Sequence, residues 1–133
     1  MARFQPVPHD RDTGGLFEAT AEGRLVIRAC KACGSALHPP VAYCRYCASW
    51  DTDWRDVEGR ARLYAWTTVT HQVHPDYPTP YTVVLVELEA VTPVVRMVGY
   101  IDGVPDLRAG MAMEAYFAAS GDGQRLPQWR PVP

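Results

Sequence analysis

Cys30-Lys31-Ala32-Cys33-Gly34 and Cys44-Arg45-Tyr46-Cys47 are two C-x-x-C pairs, and they hold all four cysteines of the chain. Two thiolates three positions apart turn toward one point when the backbone between them makes a tight knuckle, and Gly34 permits the conformation such a knuckle needs. A second knuckle completes a four-sulfur tetrahedron around one metal ion, the closed geometry of structural zinc. Iron held by the same four sulfurs, or a pair of disulfides, are the alternatives. Cys30, Cys33, Cys44 and Cys47 are therefore the candidate metal ligands. A closed shell of four sulfurs keeps no position open for water or substrate. The metal is expected to staple the fold, not to catalyse.

Working outward, the region 24–58 around the knuckles reads as a ribbon of short strands: residues 25–29, an extended run at 36–40 that Pro39 and Pro40 limit to an edge, and residues 52–57. Its large apolar residues are few, chiefly Leu25, Ile27, Leu37, Trp50 and Trp54. Metal binding is expected to supply much of its folding free energy. His38 adds nothing to an already full metal shell and reads as a surface or packing residue. Upstream, residues 1–23 form an N-terminal segment, irregular over 1–12 and helical from about 13 to 22. Asp12 or Thr13 can cap that helix and Gly23 can end it. Leu16, Phe17, Thr20 and Ala21 would share a face that packs on the ribbon or on a partner protein.

Downstream of Gly59 the pattern changes to long alternating strands, and 59–133 reads as one β-rich unit. Residues 62–73 place Leu63, Ala65, Thr67 and Val69 on one face, with Tyr64, Trp66, Thr68 and Thr70 on the other; the aromatics imply that the second face is covered too. Strands over 82–88, 94–101 and 112–119 follow, the last with Met113, Ala115 and Phe117 on one side, then a turn at 120–123 and an extended end. Four or five such strands in a short unit suggest a small barrel or sandwich, and an OB-like barrel fits the length. The fold class is mainly β: a short N-terminal helix, a four-cysteine zinc ribbon and a C-terminal OB-like barrel.

Composition narrows the function. With 13 basic and 15 acidic side chains the formal charge is −2, which disfavours nucleic acid as the main partner. The N-terminus has no apolar signal core, and the longest apolar run, near 83–88, is far too short to span a bilayer, so no membrane insertion is expected. Paired reduced cysteines point to the cytoplasm. No nucleophile elbow or phosphate-cradling glycine loop is present, and the thiols are committed to the metal. Glu87 and Glu89 share a strand face but read as solvated. His71 and His74 are the acid–base candidates. They sit in a loop, 71–81, with three prolines and the aromatics Tyr77 and Tyr81. With Trp66, these rings can stack on a flat ligand such as adenine, which makes Trp66, His71, His74, Tyr77 and Tyr81 the candidate ligand-binding residues.

Taken in order, several of these pieces carry a resemblance. They are Leu16-Phe17-Glu18-Ala19, Gly23-Arg24-Leu25, the C-x-x-C-G at 30–34, Pro39-Pro40, the C-x-x-C at 44–47 and Trp54. Val57-Glu58-Gly59, Tyr64, Thr67-Thr68-Val69, residues 80–88, Gly110-Met111 and Leu126-Pro127 continue the series. The ordered set is similar to the DUF35 family, which joins a rubredoxin-like zinc ribbon to an OB-fold. Two departures stand out: Glu18 where the family often has Trp, and 89–95 without the usual glycine turn. The resemblance implies an accessory subunit, not an enzyme by itself. It would dock on and complete a thiolase-fold partner in a hetero-oligomer, help hold an acyl-CoA, and leave the acyl-transfer cysteine to that partner. The alternatives are a nucleic-acid-binding ribbon/OB module and an independent acyl-CoA enzyme using His71 or His74. Lys31, Arg45, Arg96 and Arg108 are possible contacts for the CoA phosphates.

Overall fold

A computed structural model of the chain describes residue 7, residues 9–121 and residues 123–133. Most of the irregular run expected at the N-terminus, and Asp122 of the turn at 120–123, lie outside the described residues. Helix α1 spans Gly14–Ala21; the strands are β1 Val26–Cys30, β2 Ala36–Leu37, β3 Thr52–Asp56, β4 Arg60–Val69, β5 Tyr81–Leu88, β6 Arg96–Asp102, β7 Ala112–Gly121 and β8 Gln124–Pro131. They form two sheets, a three-stranded ribbon in the order β2-β1-β3 and a five-stranded sheet in the order β6-β5-β4-β7-β8. The mainly β architecture is the one expected. The proline-limited segment supplies the edge strand β2.

The N-terminus of α1 is organised one turn earlier than the sequence implies. Thr13 occupies the cap position without a capping side-chain bond. Asp10 instead accepts hydrogen bonds from the backbone N–H groups of Asp12 and Thr13 and from the Thr13 hydroxyl, at 3.0, 2.9 and 3.0 Å. These bonds hold its carboxyl below the usual range. The buried face is Leu16, Ala19 and Thr20, with Phe17 and Ala21 only half-buried. An i, i+3, i+4 set lies on one stripe of a helix more closely than an i, i+1 pair does. The helix packs on its own chain: Gly15 lies against the Trp54 indole of the ribbon, and the Thr20 hydroxyl donates to the Arg125 carbonyl of β8 at 2.8 Å.

One contiguous core joins the parts. Leu16 and Ala19 of the helix, Leu25, Val26, Ile27 and Ala36 of the ribbon, and Ala61, Leu63, Val84, Val86, Met97, Met113 and Trp129 of the large sheet belong to the same buried cluster. Trp50, counted as ribbon core from sequence, is 72% exposed. It leans on Tyr43 with ring centroids 5.0 Å apart.

The large sheet curls until its edge strands meet without a ladder. An added Cβ on Gly99 of β6 would stand 3.2 Å from both Cδ1 and the backbone N of Trp129 on β8. The Tyr100 N–H donates to Gln128 Oε1 at 2.7 Å across the same seam. Trp129, 0% exposed, fills the interior.

The alternation expected along β4 does not persist. Its register with β5 slips between Leu63 and Ala65, so one extra residue inverts the pattern. Leu63 is inside, but Trp66, opposite buried Val84, follows it on the inner face in place of Ala65. Tyr64 and Trp66 are 51% and 42% exposed, so the covered second face inferred from the aromatics is absent.

Candidate functional site

Two local structures build the cysteine cluster, and they repeat bond for bond. In the first knuckle the Gly34 N–H donates to the Cys30 carbonyl and the Cys30 N–H to the Ser35 carbonyl, both at 2.9 Å. In the second the Ala48 N–H donates to the Cys44 carbonyl and the Cys44 N–H to the Ser49 carbonyl, again at 2.9 Å. Gly34 and Ala48 both take positive φ, +79° and +64°. This is routine for glycine and costs an alanine roughly 1 kcal/mol. Cys30 and Cys44 are buried; Cys33 and Cys47 are exposed.

The four sulfurs lie within 4.8 Å of one another. Cys30 and Cys47 are 3.6 Å apart and Cys33 and Cys44 3.7 Å, with all four thiols free. A tetrahedral site with metal–sulfur bonds of about 2.3 Å has sulfur–sulfur edges of about 3.8 Å. Disulfides would need about 2.05 Å. The geometry is that of a metal site. The electrostatics agree. The Ser35 hydroxyl, 3.3 Å away, and its backbone N–H bring the Cys33 thiol down to about 6. The Cys33 N–H also lowers Cys30. At Cys47 the Ser49 N–H acts in the same direction, but the neighbouring Cys30 thiol and desolvation prevail and push it up to about 12. Four thiols this close cannot all shed protons unless a cation sits among them. No sulfur is left over for substrate chemistry.

Of the candidate ligand residues, the structure gathers His74, Tyr77 and Tyr81 and leaves two outside. His74 meets Tyr77 edge-on at 5.7 Å, and Tyr77 lies 6.4 Å from Tyr81. Tyr100 of β6 joins them, 6.0 Å from Tyr77 and 5.0 Å from Tyr81, with its hydroxyl donating to Asp102 at 2.7 Å. Tyr100 was missed because only the β5–β6 register, Val83 opposite Tyr100, brings it beside the loop. His71 and Trp66 are exposed. His74 Nδ1 accepts the Asp76 N–H at 3.1 Å.

Two clefts lie elsewhere among the described residues. About 500 Å³ opens between the ribbon and the large sheet, lined by Gly34, Arg55, Val57, Arg60, Glu89 and Ala90. A second, of about 480 Å³, includes Arg24, Glu58, Gly59 and Phe117. Both are bordered by the 56–60 connection. The paired carboxylates are engaged: Glu87 accepts from Arg96 at 2.9 Å and Glu89 from Arg62 at 2.8 Å. Arg96 also lies 4.1 Å over the Tyr64 ring. His38 is half-buried, and burial lowers its pKa. No helix among the described residues is long and apolar enough to cross a membrane.

Comparison with known proteins places this geometry. Residues 17–53 match the model of the ChsH2 rubredoxin-like zinc ribbon domain, and residues 54–118 match that of the ChsH2 C-terminal OB-fold domain. A solved structure described as "Ltp2-ChsH2(DUF35) aldolase" superposes with a TM-score of 0.83 at 33% identity, over 96% of this chain and 98% of the other. A "Probable enoyl-CoA hydratase alpha subunit" of Thermomonospora curvata is 36% identical over 125 residues, which is 92% of this chain. This chain spans only 38% of that relative's length.

Proposed function

The chain belongs to the DUF35 family, and from that membership we propose that it is a non-catalytic accessory subunit. It docks on a thiolase-fold enzyme, completes it, and helps hold an acyl-CoA. The observation that carries this is the end-to-end match to a chain of an Ltp2-ChsH2(DUF35) aldolase. The chemistry of the chain supports it: all four cysteines are drawn into one closed cluster, so the reacting nucleophile comes from elsewhere. The hydratase relative supports the acyl-CoA setting, but most of its length has no counterpart here. Arg24, Arg62, Arg96 and Arg130 are each ion-paired, which does not favour a phosphate-backbone partner.

The metal in this reading is zinc, held by Cys30, Cys33, Cys44 and Cys47 as a structural ion, and the chain works in the cytoplasm. Zinc would neutralise the thiolates and tie the two knuckles together; the chemistry of the complex does not pass through it. Tyr77 and Tyr81, with His74 and Tyr100, offer ring faces to the flat part of the ligand. Co-expression with a candidate thiolase-fold protein tests the reading, by size-exclusion chromatography and by acyl-CoA turnover with and without this chain. A stable complex with raised turnover is expected. Two non-interacting proteins, with the enzyme's activity unchanged, would sink the proposal.

A further inference from the structure

β4 is the long strand at the centre of the large sheet, yet half of one edge has no neighbour. β7 pairs only with Arg60, Ala61 and Arg62, and the last bonds on that side join Leu63 to Met111 and Gly110. From Tyr64 to Val69 the strand continues with β5 alone, and among the described residues nothing pairs with its other edge. The Gly59 carbonyl accepts from Ala115 of β7 and the Arg60 carbonyl from Glu89, so even-numbered residues face β5 at the start of the strand. The slip between Leu63 and Ala65 inverts that order. The backbone donors and acceptors of Trp66 and Thr68 therefore point to the open edge.

Two further observations show that this edge is built to be covered. Trp66 is on the inner face, opposite Val84, yet is 42% exposed where Val84 is 0%. Among the described residues, no strand stands beside the indole at the position the next strand would take. The edge also lacks the usual defences against pairing: Tyr64-Ala65-Trp66-Thr67-Thr68-Val69-Thr70 contains no charge and no proline, and its residues favour strands.

We propose that this edge receives an extended segment of the partner polypeptide as an added strand, in line with β7. The proposal rests on the docking function argued above and names the surface that performs it. Backbone bonds at Trp66 and Thr68 would supply register, and an uncharged segment with apolar or β-branched side chains at alternate positions would close over Trp66. A second copy of this chain fits less well. In a twofold pairing of two β4 edges, each chain beyond Val69 runs along the other's residues 60–63, where β7 already lies.

The test uses the full metal-loaded chain and the thiolase-fold protein of the co-expression experiment. Wild type, Trp66→Lys and Thr68→Pro are compared, the first placing a charge on the edge and the second removing an outward N–H and the 3.0 Å hydroxyl contact with Thr82 while sparing the backbone bonds to β5. Metal content and melting temperature establish that each variant is folded. Binding is expected to weaken about tenfold or more in both, since a buried tryptophan contact or an edge bond is worth on the order of 1.4 kcal/mol. Hydrogen exchange of the wild-type complex should slow at the amides of Trp66 and Thr68. A complex with unchanged exchange at 64–69 and wild-type affinity in Trp66→Lys would overturn the edge while leaving docking intact. No complex at all would overturn both. Slowed exchange in a homodimer of the isolated chain would assign the edge to a second copy and overturn the proposal as stated.

Discussion

Replacing Gly15 by alanine sets two known effects against each other. Glycine inside a helix costs about 1 kcal/mol relative to alanine, somewhat less in the first turn, so propensity alone predicts stabilisation. The structure predicts the reverse. An added Cβ would stand 2.8 Å from Trp54 Cδ1 and closer still to Nε1 and Cε2. Carbon–carbon contacts are comfortable at about 3.5–4.0 Å, so relief requires the helix or the indole to move by roughly 1 Å. The indole is not free to swing, because the Arg28 guanidinium lies 5.3 Å over its ring and is bonded to Thr52. Overpacking of this kind costs about 1–3 kcal/mol. The net for Gly15→Ala is then a loss of up to about 2 kcal/mol, or up to roughly 7 °C in melting temperature for a chain of this size. Urea and thermal unfolding of the metal-loaded protein measure it, and a double-mutant cycle with Trp54→Ala isolates the contact. In the Trp54→Ala background the same change should stabilise by up to about 1 kcal/mol. If Gly15→Ala stabilised both backgrounds equally, the helix would not rest on Trp54 and the reasoning would fail.

Cys44→Ser should lose the metal and, because Leu25, Val26, Ile27 and Ala36 are continuous with the barrel core, should lower the stability of the whole molecule; metal analysis and near-UV circular dichroism would show both. Chelation of the wild type at neutral pH should reproduce that state. Ala48→Gly should stabilise by about 1 kcal/mol by relieving φ of +64°, whereas Gly34→Ala, with open space around its Cβ, should cost about the same through backbone strain alone; chemical denaturation reads both. His38 is held below its ordinary 6.5 by burial, so the folded state binds its proton less readily than the unfolded state. Its contribution is present above pH 6.5 and is lost as pH falls through the folded value. Denaturation between about pH 7.5 and 5.5 should show wild type losing more stability than His38→Gln, and parallel curves would contradict the assignment.

The metal site was legible because ligand spacing is a local constraint: two C-x-x-C pairs need only short-range geometry to converge. The succession of long strands along the chain and the shared face of β7, with Met113, Ala115 and Phe117 against the core, were legible for the same reason. What escaped depended on contacts between distant residues. The slip in β4 leaves no mark on an apparently regular alternation, so it misplaced Ala65 and Trp66. Tyr100 became part of the aromatic group through a strand register. Ala90 takes φ of +58°, so the 89–95 connection, which has no glycine, turns through a strained alanine. The helix was expected to pack on the ribbon or on a partner protein; it shares one core with both the ribbon and the large sheet.

The twin knuckles separate what the ribbon is from what it shows. Bonds to the carbonyls of Cys30 and Cys44 hold the same backbone loop twice, while the residues at the two tips, Lys31-Ala32 and Arg45-Tyr46, are exposed. Among the described residues those four side chains bond only to each other: Arg45 donates to the Tyr46 hydroxyl at 3.1 Å and lies over its ring. The ribbon is thus a fixed mount with exchangeable faces. Descendants of this chain can alter the tips to suit a different neighbour, one dipeptide at a time, without disturbing the mount beneath.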